Sequence, residues 1–217
     1  GCIITCLLIN QKIGAYYSPR YHEHITNSSD SIFDLQKGDI LIRPNWEWPG
    51  SVPIQGGRKY GHVGIVTQGA TGKDVEDALK KAKVVEALFF DQKTRKFLFN
   101  KEDQIREEIA WISFGKKFEG IRYRLRLDID DNAKDSICQF AIQQLDCKYN
   151  IFSLKNSKRD YSHQKDERKT WHCATLTWQA YYSTCGIDID ANKGILVYPS
   201  DIIASPAFDR DNGRVRF

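Results

Sequence analysis

No two cysteines in this chain are spaced as CxxC, no apolar run is long enough to cross a bilayer, and neither sign of charge dominates. Each absence narrows the field. The six cysteines (Cys2, Cys6, Cys138, Cys147, Cys173 and Cys185) are even in number, but their spacing outlines no metal or redox motif, and 217 residues suffice for a core that needs no stapling. Mostly free thiols are therefore expected. The run CIITCLLI after Gly1 is too short for a membrane helix and has no basic residues ahead of it, so as it stands it is not a complete signal peptide. It reads either as a first core strand or as the remnant of a longer export or anchor segment. Lys and Arg total 32 against 28 Asp and Glu, an excess too small and too interspersed to call for nucleic acid as a partner. No Gly, Pro and Ser-rich linker and no internal repeat divides the chain, so a single domain over 1–217 is expected.

Short β-branched stretches bounded by Gly, Pro or charge predict strands at GDILIR (38–43), GHVGIVTQ (61–68), VVEALFF (84–90), EIAWISF (108–114) and RYRLRLDI (122–129). In the last, Arg122, Arg124 and Arg126 alternate with apolar residues, as on a half-exposed strand with one solvated face. Val75, Ala78, Leu79 and Ala82 mark the apolar face of a short helix, and Ile137, Phe140, Ala141 and Leu145 that of a longer one, capped by Asn132 or Asp131. Residues 153–170 are polar, charged and without period, which predicts a surface loop. Strands followed by helices make the fold class α+β.

After that loop comes WHCATLTWQAYYSTCG, an apolar helix closed by Gly186, with Cys173 in its first turn. Free cysteine is one of the most buried residue types, so a structural thiol is the default reading. Against it, unpaired N–H groups and the helix dipole at a first turn favour a thiolate. Cys185 ends the same helix, where the dipole disfavours an anion, and Cys138 and Cys147 lie on or after the preceding helix; all three are expected to be structural.

A thiolate nucleophile needs a base, and histidine titrates in the right range. His172 adjoins Cys173, but neighbours on a helix point apart. His163 lies in the polar loop, and His22 and His24 form an H-x-H pair with no third ligand at metal-site spacing, so no metal is expected. His62 stands at the start of a strand between Gly61 and Gly64, which allow close approach. Glu86 lies in an otherwise apolar strand, where a carboxylate must be paired or shifted in pKa. If the two strands are neighbours, Glu86 fixes the His62 tautomer and completes a set of nucleophile, base and orienter.

In their order, GDILIR, YGHVGIV, VVEAL, WHCATLTW and YPSDIIASP resemble the circularly permuted, papain-like relatives of the NlpC cell-wall peptidases, the YiiX-like group, over about Gly38 to Pro206. The resemblance implies a permuted papain-like (NlpC-like) fold, a small antiparallel, barrel-like sheet packed on the nucleophile helix. It makes 38–206 the family-like core and 1–37 an N-terminal extension. It also implies Cys173 as nucleophile, His62 as base and Glu86 as third member, with Tyr60 at an aromatic position able to offer its hydroxyl to an oxyanion. Many relatives carry a small polar residue after the cysteine, where this chain has Ala174. Implied substrates are murein-type peptides or lipid-linked acyl groups. With them come possible membrane or cell-wall association, a bacterial envelope or secreted location, and no cofactor. Trp46, Trp48, Trp178, Tyr181 and Tyr182 either line a pocket or complete the core. A catalytically silent binding module is the competing reading.

Overall fold

The computed structural model describes residues 25–27, 32–44, 60–94, 96–98, 103–115, 121–156 and 170–217. Cys2, Cys6, His22, His24, Trp46, Trp48 and His163 lie outside these residues, as does most of the polar segment 153–170.

In chain order the main elements are β1 (Ile25–Asn27), β2 (Ile40–Pro44), β3 (Tyr60–Gln68), α1 (Val75–Lys81), β4 (Lys83–Ala87), β5 (Ile105–Ile109), α2 (Ala110–Phe114), β6 (Tyr123–Leu125), α3 (Asp131–Ile142), α4 (Cys173–Cys185), α5 (Pro199–Ile203) and β7 (Arg214–Arg216). The class is α+β. Seven strands form one sheet in the order β1-β7-β6-β2-β3-β4-β5, antiparallel except for the β1/β7 pair. Among the described residues the expected barrel-like closure is not seen, and β1 and β5 end the strand order. Ile25–Asn27 and the short strand Phe33–Leu35 both pair with later segments, so part of the stretch 1–37 joins the fold.

Strand alternation sorts the central side chains into two layers. Ile40, Ile42, Val63, Ile65, Val85 and Ala87 pack with Ile137 and Phe140 of α3 and with Cys173, Leu176 and Ala180 of α4. Leu41, Val66 and Val84 pack on the other face with Ala78, Leu79 and Phe114. Each such fully buried aliphatic or aromatic side chain contributes about 1.5–3 kcal/mol. Helix α1 follows its sequence closely: Asp74 caps it by accepting from Asp77 N at 2.8 Å, and Ala78 and Leu79 are buried.

Three local expectations are corrected. EIAWISF splits, because the strand ends at Ile109 and the apolar run Ala110–Phe114 turns into helix α2; a short apolar run has no period that separates the two. The cap of α3 is Asp130, which accepts from Ala133 N at 2.8 Å, one residue before the candidates Asp131 and Asn132. Arg124 of β6 and the flanking Arg122 and Arg126 do not form a solvated face. β6 lies inside the sheet between β2 and β7, so Arg124 is buried and donates to Asn212 O at 2.9 Å. Arg126 forms a two-pronged pair with buried Asp39, Nε to Oδ1 at 2.6 Å and Nη2 to Oδ2 at 2.7 Å. Asp39→Ala would leave that guanidinium to Asp34, whose Oδ2 and carbonyl it also reaches at 3.2 and 3.1 Å, a loss expected to cost about 2 kcal/mol. Urea unfolding measures it, and a midpoint like wild type would show the pair to be dispensable.

Candidate active site

β3 carries His62 two residues before Gly64, and Glu86 of β4 lies directly opposite Gly64. Diagonal neighbours on one face stand within reach of long side chains. With no side chain at Gly64 in the way, Glu86 Oε2 meets His62 Nε2 at 2.6 Å, and Ser113 of α2 donates its hydroxyl to Oε1 at 2.7 Å. Glycine at 64 also admits the Phe114 ring, which a Cβ there would meet at 3.2 Å and which stacks on the imidazole with centroids 5.5 Å apart. The α2 turn that sequence reads as strand thus supplies two supports of the imidazole and its carboxylate.

The charge balance follows from burial. Glu86 is 1% exposed; burial pushes its carboxyl up, but the His62 hydrogen bond and charge, the Ser113 hydroxyl and Arg106 together hold it below its ordinary value. Burial, assisted by the Arg43 charge, holds His62 below the usual histidine range in spite of Glu86. Glu86 is thus the member of the pair held as an anion, while burial and the Arg43 charge work against a charge on the imidazole. With Nε2–H donated to Glu86, Nδ1 carries the free lone pair.

Cys173 opens α4 as expected, and Gly186 closes it in the left-handed region (φ 68°), its N–H bonding Tyr182 O at 3.0 Å. The β3/β4 pairing ends at Gly64 and Glu86. One residue beyond that point, Val63 N–H faces the Cys173 sulfur, which the Ala174 N–H also faces. The nucleophile candidate therefore sits where two central strands part, beside the residue that follows His62. No hydrogen bond joins His62 to this sulfur in the resting arrangement, since alternation turns the imidazole toward Phe114.

The expected lowering of the Cys173 thiol is corrected. Cys173 is only 2% exposed, and burial pushes its thiol up to about 12, outweighing the Val63 and Ala174 N–H groups and the Arg43 charge. The reason lies in α4 itself, which is buried all round over Cys173–Tyr181 rather than presenting its first turn to water. Desolvation disfavours the thiolate more than the dipole favours it.

Three residues of the site escaped sequence reasoning. Arg43 is fully buried directly across from His62, close enough to Glu86 and Cys173 to feel both charges; burial lowers it to about 9, which leaves it charged at neutral pH. A charge inside GDILIR is the same signal that singled out Glu86. Tyr149 is close enough to feel the Cys173 charge: burial, with Cys173 second, pushes its phenol well up. His172 was set aside as a helical neighbour, yet it is the cap residue in extended backbone (φ −84°, ψ 149°), and its Nε2 lies 3.8 Å from Cys173 Sγ. Burial, then His62, lower it to about 4. Between pH 6.5 and about 4 the unfolded chain takes a proton at His172 that the folded chain refuses, so stability falls as pH falls through that window. The loss is expected to be about 3 kcal/mol, and pH-resolved urea melts in which His172→Leu kept the full acid slope would contradict it.

Tyr60 is buried on β3 against Tyr123, ring centroids 5.5 Å apart, in the same core layer as Cys173. Trp178 lies in that layer as well; its indole donates to Asp188 Oδ1 at 2.7 Å and stacks on Tyr182. Cys138, Cys147, Cys173 and Cys185 are free thiols. Among the described residues no three His, Cys, Asp or Glu side chains converge as metal ligands, and no helix is long and apolar enough to cross a membrane.

No family model matches the chain. It is similar to the uncharacterized protein YycO of Bacillus subtilis (strain 168), 29% identical over 96 residues, which is 39% of this chain and 36% of that protein. The chain thus spans about a third of the length of that relative. Among solved structures it is similar to the metalloprotein yiiX from Escherichia coli O157:H7 (DUF1105), at 18% identity and a TM-score of 0.49, covering 84% of this chain and 96% of that one.

Proposed function

We propose that this chain is a cysteine hydrolase that cleaves an amide bond, with a bacterial cell-wall peptide as substrate. The observation that supports this reading is the buried His62–Glu86 pair at 2.6 Å, one residue from the backbone N–H that faces Cys173. In the proposed sequence, Glu86 holds the imidazole with Nδ1 unprotonated. As the sulfur attacks the carbonyl carbon, its proton passes to Nδ1, a step that requires the imidazole to swing from its resting place against Phe114 toward the sulfur, and neither partner has to be charged beforehand. The carbonyl electron pair moves to oxygen, where the Cys173 backbone N–H and the Tyr60 hydroxyl are the assigned donors. Collapse expels the amine with the proton from Nδ1, and a water activated by the same imidazole then cleaves the thioester.

The Escherichia coli neighbour is named a metalloprotein. The donor set here gives no step to a metal, since no three ligand-type side chains converge among the described residues and His62 Nε2 is engaged by Glu86. The deeply buried thiol favours a second reading, a silent peptide- or lipid-binding module. The deciding experiment incubates the full chain and Cys173→Ala with wall stem peptides carrying a D-glutamyl to diamino-acid amide, and in parallel with acyl lipids, and follows amine or fatty-acid release. Peptide cleavage by wild type alone supports the proposal, and lipid cleavage by wild type alone moves the substrate class. Binding without release by either protein leaves the silent module.

A further inference from the structure

We propose that His172 is a second imidazole of the site, whose ring N–H holds the Cys173 sulfur as it takes up negative charge. The inference rests on the reading of Cys173 as nucleophile. Three observations carry it. Nε2 of His172 is 3.8 Å from Sγ, within the longer reach of sulfur hydrogen bonds, and this is the only hydrogen bond of that ring among the described residues. The residue occupies the cap position of α4, but its side chain caps nothing, although a side-chain acceptor at that position ordinarily takes an orphan N–H of the first turn. The ring is buried and held edge-on to Tyr149, centroids 5.8 Å apart, so it is fixed against the sulfur instead of turning away to solvent.

The chemistry assigns distinct roles to the two imidazoles. When the S–C bond forms, the thiol proton goes to Nδ1 of His62, which Glu86 has oriented, and the carbonyl pair moves to oxygen. His172 keeps its own proton throughout. It is difficult to protonate further, so it does not compete with His62 as base and stays a neutral donor. The groups facing the sulfur are then the Val63 and Ala174 N–H groups, the His172 ring, the Arg43 cation, the Tyr149 phenol and the opposing Glu86 charge. Among these groups His172 is the side chain within hydrogen-bond reach of the sulfur, and a substitution can remove it. A hydrogen bond to a charged acceptor is about twice as strong as a neutral one, so this contact strengthens as the thiolate develops.

The test is the rate of Cys173 alkylation by iodoacetamide in the full chain, resolved by peptide mapping, for wild type, His172→Leu and His172→Gln. Circular dichroism reports whether each is folded. Leu removes the donor at similar bulk, and Gln restores an N–H. The expected result, between pH 7 and 9 where the chain is folded, is labelling roughly 10-fold slower in His172→Leu than in wild type, with most of the rate recovered in His172→Gln. Leu and Gln are close in bulk, so a change in access alone would alter the rate of both alike. The proposal is overturned if His172→Leu keeps the wild-type rate, or if Leu and Gln slow labelling equally. If His172→Leu does not fold, His172→Phe against His172→Gln carries the same comparison. Hydrolysis that persists in Cys173→Ala would remove the underlying reading instead, so the two failures are told apart.

Discussion

Cys173→Ala is expected to lower turnover on the order of 10⁴-fold or more while leaving the fold intact. The chemical loss is large because the thioester route has no substitute once the sulfur is gone. The structural loss is small, since Sγ makes only weak contacts with the Val63 and Ala174 N–H groups and the His172 ring, and alanine fits where the larger side chain stood. His62→Ala is expected to fall equally far, and the double variant no further, because nucleophile and base act as one unit. Glu86→Gln should lose on the order of 10²–10⁴-fold, since an amide can donate to the imidazole and fix the wrong tautomer. It should also soften the site, because Ser113 and the Arg43 charge are arranged for a carboxylate. Initial rates on whichever substrate wild type cleaves measure all four variants. Additive losses in the double variant would mean that Cys173 and His62 do not share a step.

Much of the frame was legible in the sequence because alternation and capping are local. The cores of β2, β3 and β4 follow from short, β-branched, nearly continuous apolar runs, and α1 from a four-residue apolar face with an acidic start. The His62–Glu86 pair was legible for a different reason: a carboxylate inside VVEAL has to find a partner, and the neighbouring strand offers an imidazole. What was not legible depended on tertiary placement. Arg122, Arg124 and Arg126 alternate as an exposed face would, but the strand lies between two others and its guanidiniums reach carbonyls and Asp39 instead of water. The run after Ile109 held no period to distinguish strand from helix, so Ser113 and Phe114 were missed as neighbours of the imidazole. The thiol expectation failed on the same ground. A helix start is electropositive on local grounds alone, whereas the burial that outweighs it here is a property of how α4 sits between α3 and the sheet.

The alkaline stability of the chain should carry the mark of that buried thiol. In the unfolded chain Cys173 gives up its proton near pH 9, while burial in the folded chain delays this to about 12. A group whose folded value is raised contributes stability that is complete below the unfolded value and is lost as pH rises toward the folded one. Across pH 9 to 12 the loss is expected to reach about 4 kcal/mol. Tyr149 and Tyr181, both pushed well up by burial, lose stability in the same direction. The Tyr181 contribution is common to wild type and Cys173→Ala, and burial, the larger cause at Tyr149 and Arg43, is common too, so the difference between the two reports the thiol together with its charge coupling to Tyr149 and Arg43. Urea unfolding at intervals of pH should show wild type falling more steeply than Cys173→Ala above pH 9, with the gap closed below it apart from a constant packing term. Parallel curves would mean that the sulfur is solvated in the folded chain. The thiolate would then form near its ordinary pH, and the attack would need no concerted transfer to His62. The distinction bears directly on mechanism, because a thiol that resists ionisation by this margin reacts at neutral pH only if its proton leaves as the carbon–sulfur bond forms.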